Sequence, residues 1–201
     1  MNTDAFFAAV RGRLFGGKLT QDQVEGINAI LSTWAKLGDG NTQRLAYVLA
    51  TAYHETAQTM QPIYERGPRA YFDKYEPGTP LGLRLGNTLK GDGFKYRGRG
   101  FVQLTGRRNY AFAGGKLGLD LVGRPDDALG VVIAAEILIT GSLAGWFTGK
   151  SLGAFIDDID EADDAETREF IAARRVINGK DKAELIASEA IAFEAALKAA
   201  E

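Results

Sequence analysis

Two carboxylates and one glycine-rich run are the places where this sequence could do chemistry. The first is Glu55, in Tyr53-His54-Glu55-Thr56 at the end of an apolar helical stretch. Counted from Val48 and Ala52, it falls at i+7 and i+3, on the buried stripe of that helix. A carboxyl group there has two fates. It pairs with a cation, or it is desolvated until it holds a proton near neutrality. The second is what a general acid in glycoside hydrolysis needs, whereas the first is the commoner state of a buried acid.

Glu65 follows in Pro62-Ile63-Tyr64-Glu65-Arg66-Gly67. Pro62 and Gly67-Pro68 rule out one continuous helix from Glu55, so Glu65 is expected on a loop. Taken alone it reads as a surface acid paired with Arg66. As a pair, two such carboxyls suit an inverting glycosidase at a separation of about 6.5–9.5 Å and a retaining one at about 5–5.5 Å.

The third feature is Lys95-Tyr96-Arg97-Gly98-Arg99-Gly100-Phe101-Val102-Gln103-Leu104-Thr105. Alternation from Phe94 to Thr105 predicts a strand with Val102 and Leu104 on one face and Phe101, Gln103 and Thr105 on the other. Gly98 and Gly100 allow a close backbone approach or a positive φ. The Gln103 amide and Thr105 hydroxyl, on one face, could hold a sugar or a water. An ordinary glycine-rich hairpin is the competing reading. The spacing matches neither a P-loop nor a dinucleotide fingerprint.

Other chemistry is narrower. His54 is the only histidine, and it lies about 100° around the helix from Glu55, so a structural hydrogen bond is expected. With one histidine and no cysteine, neither a metal site nor a cofactor is expected, and thiol nucleophiles and disulfides are excluded. Trp146-Phe147 reads as core packing. The acidic run from Asp157 to Glu166 lacks EF-hand order and reads as a solvated loop.

Helices must position these residues. Thr3 can cap a short helix through Phe6, Phe7, Val10 and Leu14 that ends at Gly16-Gly17. Thr20 and Gln23 form a capping-box pattern ahead of Val24, Ile27, Ile30, Leu31 and Trp34. Asn41 can cap a third helix, which carries Leu45, Val48, Leu49 and Ala52 up to Glu55. Residues 62–100 hold four of the five prolines without sustained helical period, which predicts a loop-rich lobe with short strands. A helix is expected from Pro125 through Val131, Ala135, Leu138 and Ile139. Two more follow: one ends near Asn178-Gly179, and the last starts at Asp181 with Glu184 at capping spacing. The expected class is mainly α (α+β): one domain over 1–201 with a small irregular β-containing lobe at about 62–105, and a groove between lobes.

Charge is uneven although the formal net charge is only −2. Residues 90–110 carry six cations against Asp92, and residues 157–169 carry eight acids against Arg168. The basic stretch could attract an anionic polymer, or its arginines could fix a loop. Because those cations sit inside the glycine-rich motif, no nucleic-acid partner is expected. No apolar stretch reaches the roughly 18 residues of a membrane span, so no stable membrane insertion is expected. No targeting segment opens the sequence, and the protein is expected to start in the cytoplasm.

Together, His54-Glu55-Thr56, Glu65 and the run from Tyr96 to Thr105 resemble the core of the family nineteen chitinases and their lysozyme-like phage and bacterial relatives. The similarity continues through Asn109-Tyr110, Trp146-Phe147 and Arg174-Arg175-Val176-Ile177-Asn178-Gly179, spanning roughly residues 40–180. Within it, Ala57-Gln58-Thr59-Met60-Gln61-Pro62-Ile63 is more similar to the phage endolysin branch than to the plant enzymes, whose cysteines are absent here. The resemblance implies a lysozyme-like two-lobed fold with a central cleft. It implies Glu55 as general acid, Glu65 as the base that activates water in an inverting mechanism, and Thr105 as the hydroxyl that helps hold that water. Gln103, Asn109 and Asn178 would line the sugar cleft, with Tyr96 and Arg175 supporting it.

The implied function is an endolysin-type muramidase that cuts β-1,4 bonds between amino sugars in peptidoglycan glycan strands, acting as a monomer. It would wait in the cytoplasm until the membrane is permeabilised by a holin-type release. A chitinase is the alternative enzyme, and a non-catalytic cell-wall-binding module the alternative class.

Overall fold

The computed structural model describes residues 1–157, 159 and 163–201. Helices dominate, as the hydrophobic periodicity requires, and among the described residues the sheet is reduced to two short strands. Two compact units form: Met1–Met60 with Leu138–Glu201, and Gln61–Ile137. Among the described residues no helix is long and apolar enough to cross a membrane.

The first unit is built around α3 (Thr42–Glu55), whose residues from Gln43 to Tyr53 are all buried. It follows α1 (Thr3–Arg13) and α2 (Gln21–Leu37). Thr20 and Gln23 form the expected capping box in both directions. Asn41 caps α3 by accepting a bond from Arg44 N at 2.8 Å. The first helix departs from expectation: its cap is Asn2 and not Thr3, because the Asn2 side chain accepts from Ala5 N.

The main packing partner of α3 is α9 (Ala183–Lys198), which also packs on α8 (Asp163–Ala173) and α1. Aromatic pairs fill these contacts. Tyr47 stacks on Phe170 with ring centroids 6.0 Å apart, and Tyr53 meets Phe193 edge-on at 5.9 Å. Burying each such ring contributes about 1.5–3 kcal/mol. The helix end that carries Glu55 is therefore anchored from several directions.

What stops α3 is a run of left-handed backbone. Ala57, Gln58 and Met60 have φ of 51°, 68° and 53°, values that non-glycine residues adopt at a cost. Their partners are specific. The Thr56 hydroxyl donates to Ala52 O at 2.7 Å and accepts from Met60 N at 3.1 Å, while Gln23 Nε2 donates to Gln58 O at 3.0 Å.

The second unit contains β1 (Ile63–Tyr64), a 3-10 segment (Arg69–Tyr75), α4 (Pro80–Leu85), α5 (Asp92–Lys95), β2 (Arg99–Gly100) and α6 (Arg107–Leu117). A second 3-10 turn (Pro125–Leu129) precedes α7 (Val131–Ala144), whose residues to Ile137 belong to this unit. The strands pair antiparallel, with Ile63 opposite Gly100 and Tyr64 opposite Arg99. Phe72, Tyr96, Phe101, Tyr110 and Leu121 are fully or almost fully buried at its centre.

The alternation read from Phe94 to Thr105 is not a strand. Residues 92–95 are helical, β2 is two residues long, and the chain reverses over 101–103 so that Leu104 pairs back on Arg99. Gln103 sits at φ 54° in that reversal, so period two does not assign its faces. Phe101, Val102 and Leu104 are all buried.

Three helix boundaries also shift. Pro125 opens the 3-10 turn, and α7 starts only at Val131. α8 gives way at Arg174 to a 3-10 turn that ends at Val176, short of Asn178-Gly179. α9 starts at Ala183 after Lys182 in left-handed backbone, without a side-chain cap from Asp181. Within the acidic run, Asp158, Asp160 and Glu161 lie outside the described residues. Glu166 is not solvated loop: it is buried on α8 and accepts from Gln43 Nε2 at 2.7 Å.

The basic stretch is largely committed to structure. The Arg99 side chain is 3% exposed and holds Asp126, the carbonyls of Lys95 and Arg97, and the Tyr110 hydroxyl. Arg97 lies against Tyr64 and Phe94. Arg107 grips both Asp92 oxygens at 2.8 and 2.7 Å.

Burial alone would raise the Asp92 carboxyl. Hydrogen bonds from Arg107 and from the N–H groups of Leu89 and Thr88 outweigh it and hold the group below its usual range. A depressed folded value gives stability that is present above the unfolded value, about 3.9, and lost as pH falls through the folded one. Asp92→Asn should therefore cost about 2 kcal/mol near neutrality. Denaturant unfolding at pH 7 and at pH 3 should show the gap to the parent protein narrowing in acid; a gap that widens would contradict the pairing.

Candidate active site

Glu55 is the last residue of α3, and its side chain is 19% exposed. The structure realises the ion-pair alternative: Arg174 Nη1 donates to Glu55 Oε1 at 2.7 Å. Arg174 is itself buried, with Nε donating to Asp181 O at 2.9 Å. It sits where α8 passes into its final 3-10 turn, so two backbone elements fix the guanidinium. Among the described residues no hydrogen bond reaches Glu55 Oε2. One oxygen is clamped and the other accepts no such bond.

Two neighbours complete this environment. Tyr47 is almost wholly buried, its hydroxyl has no hydrogen-bond partner among the described residues, and burial pushes it far above the ordinary phenol range. The Arg174 charge opposes that shift and the Glu55 charge adds to it. His54 Nδ1 lies 3.7 Å from Glu189 Oε2. It faces α9, as expected of a structural histidine, although the separation is longer than a hydrogen bond.

In the second unit Glu65 follows β1 directly, on the expected loop. Its backbone N–H donates to Gly98 O at 2.8 Å, extending the pairing of β1 with β2. Both carboxylate oxygens accept: Oε1 from the Tyr75 hydroxyl at 2.9 Å, and Oε2 from Gly98 N at 3.1 Å. The cation beside it is Lys74, with Nζ 3.9 Å from Oε1, and not Arg66. Burial raises the Tyr75 phenol, and its bond to Glu65 raises it further.

Gly98 is the point on which this group converges. A Cβ there would lie 2.7 Å from Gln103 Oε1, 3.1 Å from Glu65 Cβ and 3.2 Å from Thr105 Oγ1. A larger residue there would displace the Gln103 amide and press on Glu65 and Thr105. Thr105 Oγ1 donates to Gln103 O at 2.7 Å. Gln103 Nε2 donates to Ile63 O and Gly100 O at 3.1 and 3.3 Å, which leaves Oε1 without a hydrogen bond among the described residues. Glu65, Gln103 and Thr105 thus form one cluster of acceptors.

The remaining sequence-derived residues divide. Asn109 is exposed and donates to Thr105 O at 2.7 Å, bracing the cluster from α6. Tyr96 is wholly buried and donates to Val122 O, so it supports from beneath and touches no solvent. Asn178 and Arg175 are exposed on the first unit, and the Arg175 guanidinium lies 6.0 Å from the Phe155 ring centre. The guanidinium that reaches Glu55 is that of Arg174, its neighbour. Phe147 packs on Gly141, but Trp146 and Phe147 are both only half-buried and lie outside the core expected for them. Among the described residues no three acidic, histidine or cysteine side chains gather as a metal site would require.

Arg174 and Tyr75 carry geometry that the sequence did not assign, whereas Gly98 shows the close approach and Gly100 the positive φ, 85°, read from their residue type. Arg174 stood inside the Arg174-Arg175-Val176-Ile177-Asn178-Gly179 motif, where an arginine beside an apolar helix end was the available signal. Tyr75 lies in the aperiodic stretch and offered none.

No family model matches the chain. Curated relatives do. Over 52 residues, 26% of this chain and 18% of the relative, it is 46% identical to Chitinase 8 of Oryza sativa subsp. japonica. Over 69 residues, 33% of this chain and 31% of the relative, it is 42% identical to a glycosyl hydrolase family 19 domain-containing protein of Haemophilus influenzae. The matches thus span less than a third of the length of either relative. The fold is shared with a bacterial family 19 chitinase at TM-score 0.56 and 20% identity, covering 98% of this chain and 93% of that one. By sequence the chain has family 19 glycosyl hydrolase homologues, and by fold it has a family 19 neighbour.

Proposed function

We propose that this homologue of family 19 glycosyl hydrolases is itself a glycoside hydrolase that cuts β-1,4 bonds between amino sugars, with peptidoglycan as its polymer. The observation that carries the proposal is the cluster on Gly98, where a doubly hydrogen-bonded Glu65 carboxylate stands beside Thr105 Oγ1 and Gln103 Oε1. Such a cluster suits a water: Glu65 takes one proton, and the second O–H is oriented by a lone pair of Thr105 Oγ1 or Gln103 Oε1. Tyr75 and Gly98 N fix the carboxylate, so little reorganisation precedes the proton transfer.

Glu55 is the proposed acid. Its Oε1 is tied to Arg174, and Oε2 can carry the proton to the leaving oxygen. Attack by a base-activated water with protonation of the leaving group inverts the anomeric centre. Neither step requires a metal or cofactor. Asn109 serves as a brace and Tyr96 as a support, while Asn178 and Arg175 are proposed contacts for the sugar chain. The similarity of residues 57–63 to the endolysin branch supports peptidoglycan, and with it release from the cytoplasm only after the membrane is breached.

Chitin is the second reading, favoured by the names of the relatives. Separate incubation with purified peptidoglycan and chitin, followed by mass spectrometry of fragment ends, distinguishes them. New reducing ends from peptidoglycan are expected. Cleavage of chitin alone selects the second reading, and cleavage of neither removes both.

A further inference from the structure

A hollow of about 560 Å3 in the second unit is lined by Arg69, Asp73, Glu76, Pro77, Lys90 and Gly91. That volume lies within the range of small-ligand sites. Its lining carries two cations and two anions, a pattern unlike a polyanion groove. Two of the charges are held in place. Arg69 lies over the Phe94 ring at 4.2 Å. Glu76 accepts from Gly91 N at 2.6 Å and from Gly93 N at 3.2 Å. The other two, Asp73 and Lys90, are exposed and make no ion pair among the described residues.

We propose that this hollow binds the short peptide of peptidoglycan, a chain that carries both free carboxylates and an amine on its third residue. The inference rests on the peptidoglycan reading above and sharpens it. An uncharged amino-sugar chain has nothing to pair with Arg69, Lys90 and Asp73. A nucleic acid or other polyanion would meet Asp73 and Glu76 as repulsion. A zwitterionic peptide satisfies both signs: its carboxylates face Arg69 and Lys90, and its amine faces Asp73. Arg69 can offer a planar fork to a carboxylate, because the stacking on Phe94 fixes the guanidinium by its face. Charge pairs formed at such a rim set specificity more than affinity.

The probe is the soluble tetrapeptide L-Ala-γ-D-Glu-L-Lys-D-Ala, titrated into the full chain and followed by amide shifts in NMR. Saturable binding is expected, with shifts at residues 69–77 and 90–91. The double variant Asp73→Asn with Lys90→Met keeps the net charge and should bind at least tenfold more weakly, while Asp73→Glu with Lys90→Arg should restore binding. Thermal melting checks that each variant folds. Absence of saturable binding, or equal binding by the Asn/Met pair, overturns the inference. Glu55→Gln should bind the peptide as the parent does, so the hollow is tested apart from turnover. Peptide binding by a protein that cuts no glycan would uphold the hollow and remove the hydrolase reading.

Discussion

Glu55→Gln is expected to lower kcat on the glycan by about a thousandfold while the chain still folds. A positioned general acid contributes about 10²–10⁴ in rate, and an amide cannot replace its proton. The substitution keeps shape and one acceptor. Gln Oε1 can still take the bond from Arg174 Nη1, now with a buried cation facing a neutral group. Loss of a charge-assisted bond costs about 1.5–3 kcal/mol, so the melting temperature should fall without loss of the cooperative transition. The leaving group makes the test specific. An aryl glycoside whose phenolate departs unprotonated does not need the acid, so the defect should shrink on that substrate. Equal loss on both substrates, or lysis at the parental rate, would sink the acid assignment.

Glu65→Gln should match this in size and differ in kind. The mutant amide fits its surroundings: Oε1 can accept from Gly98 N, and Nε2 can donate to the Tyr75 oxygen. The fold should therefore be kept. What is lost is the base, at about 10²–10⁴ in kcat, on aryl and natural substrates alike. Azide needs no deprotonation, and added azide should restore turnover and give a glycosyl azide of inverted configuration. Recovery with retained configuration would mean that two displacements occur through a covalent intermediate on another group, and that Glu65 is not the base of an inverting reaction. No loss at all would leave the Gly98 cluster with a structural role only.

The helical frame was legible because its signals are local. The box of Thr20 and Gln23, the Asn41 cap and the apolar stripe of α3 each depend on residues within a few positions. Glu55 could be placed on a buried face for the same reason. Its partner could not, since Arg174 is 119 residues away and adjacent to Arg175, with only the phase of the helix end separating them. The run from Phe94 to Thr105 misled because alternating residues also arise where a chain doubles back. Gln103 at positive φ breaks the period that its residue type suggests. Even so, Glu65, Gln103 and Thr105 were singled out by type, and the structure brings these three together on Gly98. Tyr75 was invisible because a 3-10 segment imposes no amphipathic rhythm long enough to read.

Gly98 also limits how this protein can change. Three side chains of differing chemistry use the space left by one missing methyl group, so their substitutions share a constraint and their effects should not add. A descendant adapting to another sugar could exchange Gln103 or Thr105 for something smaller or differently polar. Enlarging position 98 first would displace the Gln103 amide and press on Glu65 and Thr105 in the same step. Adaptation of this site is therefore ordered in time: the polar residues can drift one by one, whereas a change of the glycine beneath them disturbs all three at once.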